Sequence, residues 1–310
     1  MYASYQACTL CPRACGSNRT AGGRGVCGES AELRIAAIEA HFGEEPPISG
    51  SRGSGTVFFS GCTLNCIYCQ NYQISCFHMG TPMTVAVVVE RLEELSVQQG
   101  IHNVNFVTPD HFLPHTIDIA GQLRRRGVTI PVLYNCSGYE TVESLERLEE
   151  MADIYLPDYK YSDADLAQTL SRCRDYPAVA LDAVAEMVRQ KGFLDHFSSG
   201  REIAGRGVLV RHLVLPGQVQ NSIDALSTLY GEFGAELPLS LMSQYWPARF
   251  IKHAELNRRL RREEFYRVYD HALALGFKHM FVQHMDALAE NEDPFLPDFN
   301  QERPFRGNLR

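Results

Sequence analysis

At 310 residues, with 45% hydrophobic and 21% charged residues, the chain is long enough for one large α/β domain and ordinary for a globular protein. A net charge of −8 and a pI near 5.8 exclude a general nucleic-acid or anionic-membrane binder, because phosphate affinity needs a basic surface. The one basic run, Arg258–Arg259–Leu260–Arg261–Arg262, is followed at once by Glu263 and Glu264 and reads as a solvated helix face. No stretch of about 18 apolar residues suggests a membrane span, and the start lacks a secretory pattern, so a cytoplasmic location is expected. Seven of the ten cysteines fall in two tight clusters, a pattern of metal ligands in a reducing cytosol rather than disulfides.

Residues 1–53 hold four cysteines, many glycines and Pro46-Pro47, with little helical periodicity, and read as a small N-terminal metal-binding lobe. Thr56–Ser60 then reads as a strand, 84–98 as a helix, Asn103–Val107 as a strand and 115–126 as a helix. Ile130–Tyr134 and Asp153–Leu156 are further strands around a helix at 141–150, which Thr141 and Ser144 can start. Helical patterns at 163–173 and 178–192 lead to a strong strand at Val208–Leu215. A helix at 219–232, a strand at Leu237–Met242, a helix near 257–275 and a short strand at His279–Val282 follow. Alternating strands and helices of this length imply a parallel sheet with right-handed crossovers. Without the glycine fingerprint of a dinucleotide fold, six or seven such units predict an α/β fold, a partial (β/α)6 TIM-type barrel over 54–290. The proline-bearing tail, 291–310, is expected to be extended or disordered.

The decisive segment is Gly61-Cys62-Thr-Leu-Asn-Cys66-Ile-Tyr68-Cys69-Gln70-Asn71. It follows directly on a strand, placing the cysteines at the strand's C-terminal end, where barrel enzymes carry their chemistry. Three thiolates spaced three and two residues apart can wrap one face of a cubane and leave its fourth iron open. A zinc knuckle completed by Cys76 or His78 is the competing reading.

This C-x3-C-x2-C spacing, with an aromatic residue before the last cysteine, resembles the signature of the radical S-adenosylmethionine (SAM) superfamily. The resemblance implies a [4Fe–4S] cluster held by Cys62, Cys66 and Cys69 beside Tyr68, with S-adenosyl-L-methionine chelating the open iron. It further implies reductive cleavage of SAM and hydrogen abstraction by a 5′-deoxyadenosyl radical. Later stretches are similar to the pyruvate formate-lyase activating enzyme branch, especially relatives with an extra N-terminal cysteine cluster. They are Cys8-Thr-Leu-Cys11-Pro-Arg13-Ala-Cys15, Gly43-Glu-Glu-Pro46, Gly50–Gly61, Asn105-Phe-Val-Thr-Pro109, Asn135-Cys-Ser-Gly-Tyr139, Leu156-Pro-Asp158-Tyr-Lys160 and Arg211-His-Leu-Val-Leu-Pro-Gly217.

By that resemblance, Thr108-Pro109-Asp110-His111 stands where the activases carry a Gly-Gly-Glu stretch that meets the SAM amino group. Thr108 is the first candidate for that contact, and a plain strand-ending turn is the alternative. Asn135 and Ser137 stand where the family meets the methionine portion of SAM, and Asp158 and Lys160 match its Asp-x-Lys. Arg211 is a candidate for holding a carboxylate, while neighbouring His212 is by default a core histidine. Gln244 and Tyr245 are expected near the barrel mouth, and His111 and His115 are loop candidates for substrate contact.

Cys8-x2-Cys11-x3-Cys15-x11-Cys27, set among glycines, gives four thiols for a second metal site, zinc or iron. The resemblance points to a protein or peptide substrate and to an electron donor such as flavodoxin or ferredoxin. Radical chemistry on a small molecule, or a non-catalytic iron–sulfur electron carrier, is the alternative.

Overall fold

The computed structural model describes residues 2–285, 296–301 and 303–305. Its strands are β1 (Arg34–His41), β2 (Ser54–Phe59), β3 (Thr81–Pro82), β4 (Val104–Val107), β5 (Val132–Cys136), β6 (Ile154–Pro157), β7 (Gly207–Val208), β8 (Val210–Leu213), β9 (Leu239–Met242) and β10 (Met280–Val282). Seven form one sheet in the order β3-β1-β2-β4-β5-β6-β7, and three form another in the order β10-β9-β8. From β2 to β7, and from β8 to β10, every pairing is parallel; only β1 runs antiparallel, to both β2 and β3. A single bridge between Asp158 and Arg211 joins the two sheets into one curved wall. Among the described residues no pairing closes that wall, so the architecture is the expected α/β partial barrel.

The helices are α1 (Pro46–Ser49), α2 (Tyr72–Ser75), α3 (Val85–Gln99), α4 (Leu113–Arg125), α5 (Val142–Glu146), α6 (Ala164–Ser171), α7 (Tyr176–Lys191), α8 (His196–Ser199), α9 (Val219–Phe233) and α10 (Arg262–Leu275). Local chemistry sets several of their ends. Thr84 and Thr141 cap α3 and α5 by accepting from Val87 and Ser144, and Gly100 ends α3 in the left-handed region. Helix α5 is shorter than the periodicity suggests, because 147–151 turn to reach β6. The basic run, expected as a helix face, instead lies before α10 except for Arg262, and its Arg258 pairs with both Glu255 and Glu264.

Strand alternation divides the core. Val57, Phe59, Val104, Phe106, Val132 and Tyr134 face the helices, where Val88, Val89, Leu92 and Leu123 meet them. Leu133, Ile154, Leu156 and Leu209 face inward and surround Ile48. Helix α1 therefore plugs the N-terminal end of the barrel. Asn103 Nδ2 donates to the Ile48 carbonyl at 2.8 Å, and the Ala204 amide donates to that of Pro47 at 2.9 Å.

The structure also differs from the sequence reading at β1 and at the β7–β8 junction. Strand β1 lies in the segment read as an irregular lobe, yet it pairs along the whole of β2. Its Ala-rich stretch is mostly half-buried and carries a register shift between Ile35 and Ala37, so it shows no clean alternation. The strand expected over 208–215 is broken at Leu209, with β7 pairing to β6 and β8 to β9. The expected tail falls partly outside the described residues. Of its described part, Phe299 and Phe305 pack on Phe58, with ring centroids 5.8 and 5.0 Å apart.

Ile48 is fully buried in the plug. We expect Ile48→Ala to lower stability by about 2–5 kcal/mol through the cavity it leaves. Urea unfolding measures this, and a loss below about 1 kcal/mol would mean that the plug is not part of the cooperative core.

Candidate active site

The cysteine loop leaves the C-terminal end of β2 and is pinned on every side. Gly61 donates its amide to Ile74 at 2.9 Å, Cys62 to the Cys27 carbonyl at 3.3 Å, and Ile67 to Leu170 at 2.9 Å. Gly61 has φ +82°, and a Cβ there would lie 2.7 Å from the Cys27 carbonyl oxygen, so only glycine allows this approach. Two of the sulfurs accept hydrogen bonds, Cys66 Sγ from Ser171 Oγ at 2.9 Å and Cys69 Sγ from Ser75 Oγ at 3.3 Å. Tyr68 is buried, and its hydroxyl accepts from Tyr161 at 3.0 Å.

Cys62, Cys66 and Cys69 line one cavity of about 720 Å³, a volume suited to a small organic ligand. The same cavity is lined by Tyr68, Thr108, Asn135, Ser137, Asp158 and Lys160, and by Arg211 on β8. These residues come from the C-terminal ends of successive strands and are brought together only by the parallel topology. Lys160 Nζ is paired with Asp158 Oδ2, and Arg211 Nε donates to Asp158 Oδ1 at 3.0 Å. Burial alone would raise the Asp158 carboxyl, but the two cations hold it below its usual value. Burial opposes the charge of Lys160, and Asp158 more than restores it.

Thr108 sits at the cavity with φ +54°, a strained backbone for a β-branched residue. The Asn135 side chain is already engaged, its Nδ2 donating to Glu44 at 3.0 Å and its Oδ1 accepting from Arg211 at 2.5 Å. Ser137 Oγ, by contrast, is buried without a partner. The structure does not bring His111 and His115 to the cavity. His111 is buried against the Ser60 carbonyl, and burial together with Arg19 holds its pKa at about 3. His115 bonds Tyr5 at 2.7 Å. His212 is a satisfied core histidine between the Tyr159 carbonyl and Ser222 Oγ. Gln244 lines the cavity, whereas Tyr245 turns away to donate to the Leu256 carbonyl.

Sequence reasoning assigned no role to Glu44 and Glu45, which rise from the plug into the same cavity, or to His41, Phe58 and Phe305 in its walls. The only signal for the glutamates was their place in the Gly43-Glu-Glu-Pro46 stretch.

The four N-terminal cysteines all precede β1; Cys8, Cys11 and Cys27 are buried and Cys15 is exposed. A Cβ on Gly25 would lie 3.3 Å from the sulfurs of both Cys15 and Cys27. Among the described residues, no three Cys, His, Asp or Glu side chains converge as ligands of a single ion. The lobe is fastened to the cysteine loop by Arg13, which donates to the Thr63 and Ser171 carbonyls at 3.0 and 2.7 Å. Glu29 pairs with His78 at 2.9 Å on the far side of the loop.

A family model of the radical SAM superfamily matches residues 56–227, more than half of the chain. The chain belongs to the radical SAM superfamily. An uncharacterized protein of Methanocaldococcus jannaschii is 27% identical to it over 271 residues, covering 84% of this chain and 72% of that one. Among solved structures, methylornithine synthase aligns at a TM-score of 0.47 and 14% identity, over 71% of this chain and 60% of that one. SuiB of Streptococcus suis, solved bound to S-adenosylmethionine, aligns at 0.44 and 10%, over 72% of this chain and 48% of that one.

Radical SAM membership implies a [4Fe–4S] cluster and SAM, and the donor set fits. Three soft thiols face one cavity, and serine hydroxyls already donate to two of the sulfurs, as neighbouring donors commonly do to metal-bound thiolates.

The depressed Asp158 carboxyl supplies stability that is complete above its usual value of 3.8 and is lost as pH falls through its lower folded value. Asp158→Asn would leave Lys160 and Arg211 partly uncompensated. We expect a loss of about 3–5 kcal/mol near neutral pH and a flatter acid limb than wild type. Urea unfolding from about pH 1.5 to 7 measures both, and acid limbs that stay parallel below the usual carboxylate range would contradict this role of Asp158.

Proposed function

We propose that this chain is a radical SAM enzyme that reductively cleaves SAM and abstracts hydrogen from a protein or peptide substrate. The observation that carries this reading is the convergence, in one cavity, of the three loop thiols with Ser137, Asp158 and Lys160. When bound, the cluster supplies the electron that cleaves SAM to methionine and the hydrogen-abstracting 5′-deoxyadenosyl radical.

The chain's own residues bind and orient. Lys160, kept protonated by Asp158, offers a point charge to the SAM carboxylate. The unpartnered Ser137 hydroxyl offers a hydrogen bond to the methionine portion, because the Asn135 amide is already committed to Glu44 and Arg211. Thr108 presents its strained turn to the SAM amino group. Arg211 anchors the chain's own carboxylates.

The activating-enzyme resemblance supports the protein or peptide substrate and a flavodoxin- or ferredoxin-type donor in a reducing cytosol. The Cys8-x2-Cys11-x3-Cys15-x11-Cys27 spacing supports a second metal, zinc or iron, in a segment whose Cys27 carbonyl accepts from the Cys62 amide.

After anaerobic reconstitution, dithionite and SAM are expected to yield 5′-deoxyadenosine. A variant with Cys62, Cys66 and Cys69 changed to Ala should yield none, and Lys160→Met should weaken SAM binding about tenfold by losing a charged hydrogen bond. A full cluster that neither binds nor cleaves SAM would sink the reading in favour of an electron carrier.

A further inference from the structure

The fold treats two neighbouring glutamates in the plug segment differently. Glu44 is saturated: Asn105 and Asn135 donate to its Oε1 at 2.9 and 3.0 Å, and Arg211 donates to its Oε2 at 2.9 Å. Glu45 lines the cavity beside Ser240, and its Oε2 is buried with no hydrogen-bond partner. An unsatisfied buried polar atom is costly, and natural proteins keep few of them without a functional reason.

Charge points the same way. The charged groups lining the cavity are the carboxylates Glu44, Glu45 and Asp158 and the cations Lys160 and Arg211. Lys160 pairs with Asp158, and Arg211 pairs with Asp158 and Glu44. Among the described residues Glu45 has no ion-pair partner within contact distance; burial raises its carboxyl above the usual range although the Arg211 charge acts on it, a shift that a bound cation would oppose.

The walls add a second, independent observation. His41, Phe42, Phe58 and Phe305 line the same cavity. The Phe305 ring stacks on Phe58 at 5.0 Å and meets His41 edge-on at 4.5 Å. Burial holds the His41 pKa at about 4, so near neutral pH it is one more uncharged ring. A carboxylate among aromatic faces is the chemistry that recognises an organic cation.

We propose that Glu45, with Ser240 and the His41, Phe42, Phe58 and Phe305 walls, forms the subsite that takes an ammonium or guanidinium group of the substrate. This rests on the radical SAM reading. The subsite serves the substrate rather than SAM because Glu45 enters with the plug from the barrel floor. The cysteine loop and Lys160 lie at the opposite, C-terminal end of the strands. Glu44 is a positioning residue here, fixing the segment that presents Glu45.

The test uses the reconstituted full chain with SAM present. Ligand-observed NMR compares n-butylammonium with n-butanol, and acetyl-Ala-Lys-Ala-amide with its norleucine analogue. We expect at least one cation to bind about tenfold tighter than its neutral counterpart, as for a charged hydrogen bond made in a desolvated site. Binding of the lysine peptide alone identifies a peptide side chain as the source, and binding of butylammonium identifies a free amine. Glu45→Gln should abolish the preference while leaving SAM affinity within about twofold. Phe305→Ala, which leaves every carboxylate in place, should weaken cation binding about threefold through the lost ring, and it keeps the test open if Glu45→Gln misfolds. No cation preference in wild type, or a Glu45→Gln variant whose defect is in SAM binding itself, would overturn the subsite. Wild type that does not bind SAM would instead overturn the functional reading and, with it, the substrate role of the subsite.

Discussion

One largely buried guanidinium ties this barrel together. Between β6 and β8 the backbone ladder is reduced to the single bridge at Asp158 and Arg211, so the wall would be weakest where the two sheets meet. The Arg211 side chain spans that junction, reaching Asp158 after β6, Asn135 on β5 and Glu44 on the plug segment. Burial opposes its charge, and the surrounding carboxylates of Asp158, Glu44 and Glu45 more than compensate. Such a network gains little over an apolar core of the same shape, but breaking it strands a buried charge and is strongly destabilising. Its value lies in fixing one geometry: the arginine that joins the sheets also orients Asp158, and through it Lys160, in the cavity.

The cysteine loop depends on the same logic of close, fixed contact. It has little secondary structure of its own, and its rigidity comes from the N-terminal lobe on one side and from α2 and α6 on the other. Gly61 permits the lobe's Cys27 carbonyl to reach the Cys62 amide, and the serines of α2 and α6 hydrogen-bond the sulfurs. Site and scaffold are therefore not separable here, because the residues that fill the lobe's interface also set where the thiols stand.

Much of this was legible in the sequence, for physical reasons. The parallel strands are buried on both faces and appear as short apolar runs, so β2, β4, β5, β6 and β9 fall close to where periodicity puts them. The cysteine spacing announces itself because three ligands on one short loop must be close in sequence. The other half of the cavity was hidden. Glu44 and Glu45 read as an ordinary acidic turn before two prolines, and nothing local says that a four-residue helix will plug a barrel and carry them inside. His111 looked available because it follows a strand end, but a 3-10 turn at Asp110–Phe112 buries it against Ser60. Phe305 lies far from the cavity in sequence, and only the folded tail brings it to Phe58.

The central claim is that the three loop thiols hold a cluster with one iron open to SAM in the cavity they share with Lys160. The most direct measurement is the EPR spectrum of the reduced, reconstituted protein with and without SAM. We expect SAM to change the g-values and line shape of the cluster signal, with about tenfold more SAM needed for the same change when Lys160 is replaced by Met. A full-intensity cluster signal that SAM leaves unaltered at millimolar concentration would contradict the claim.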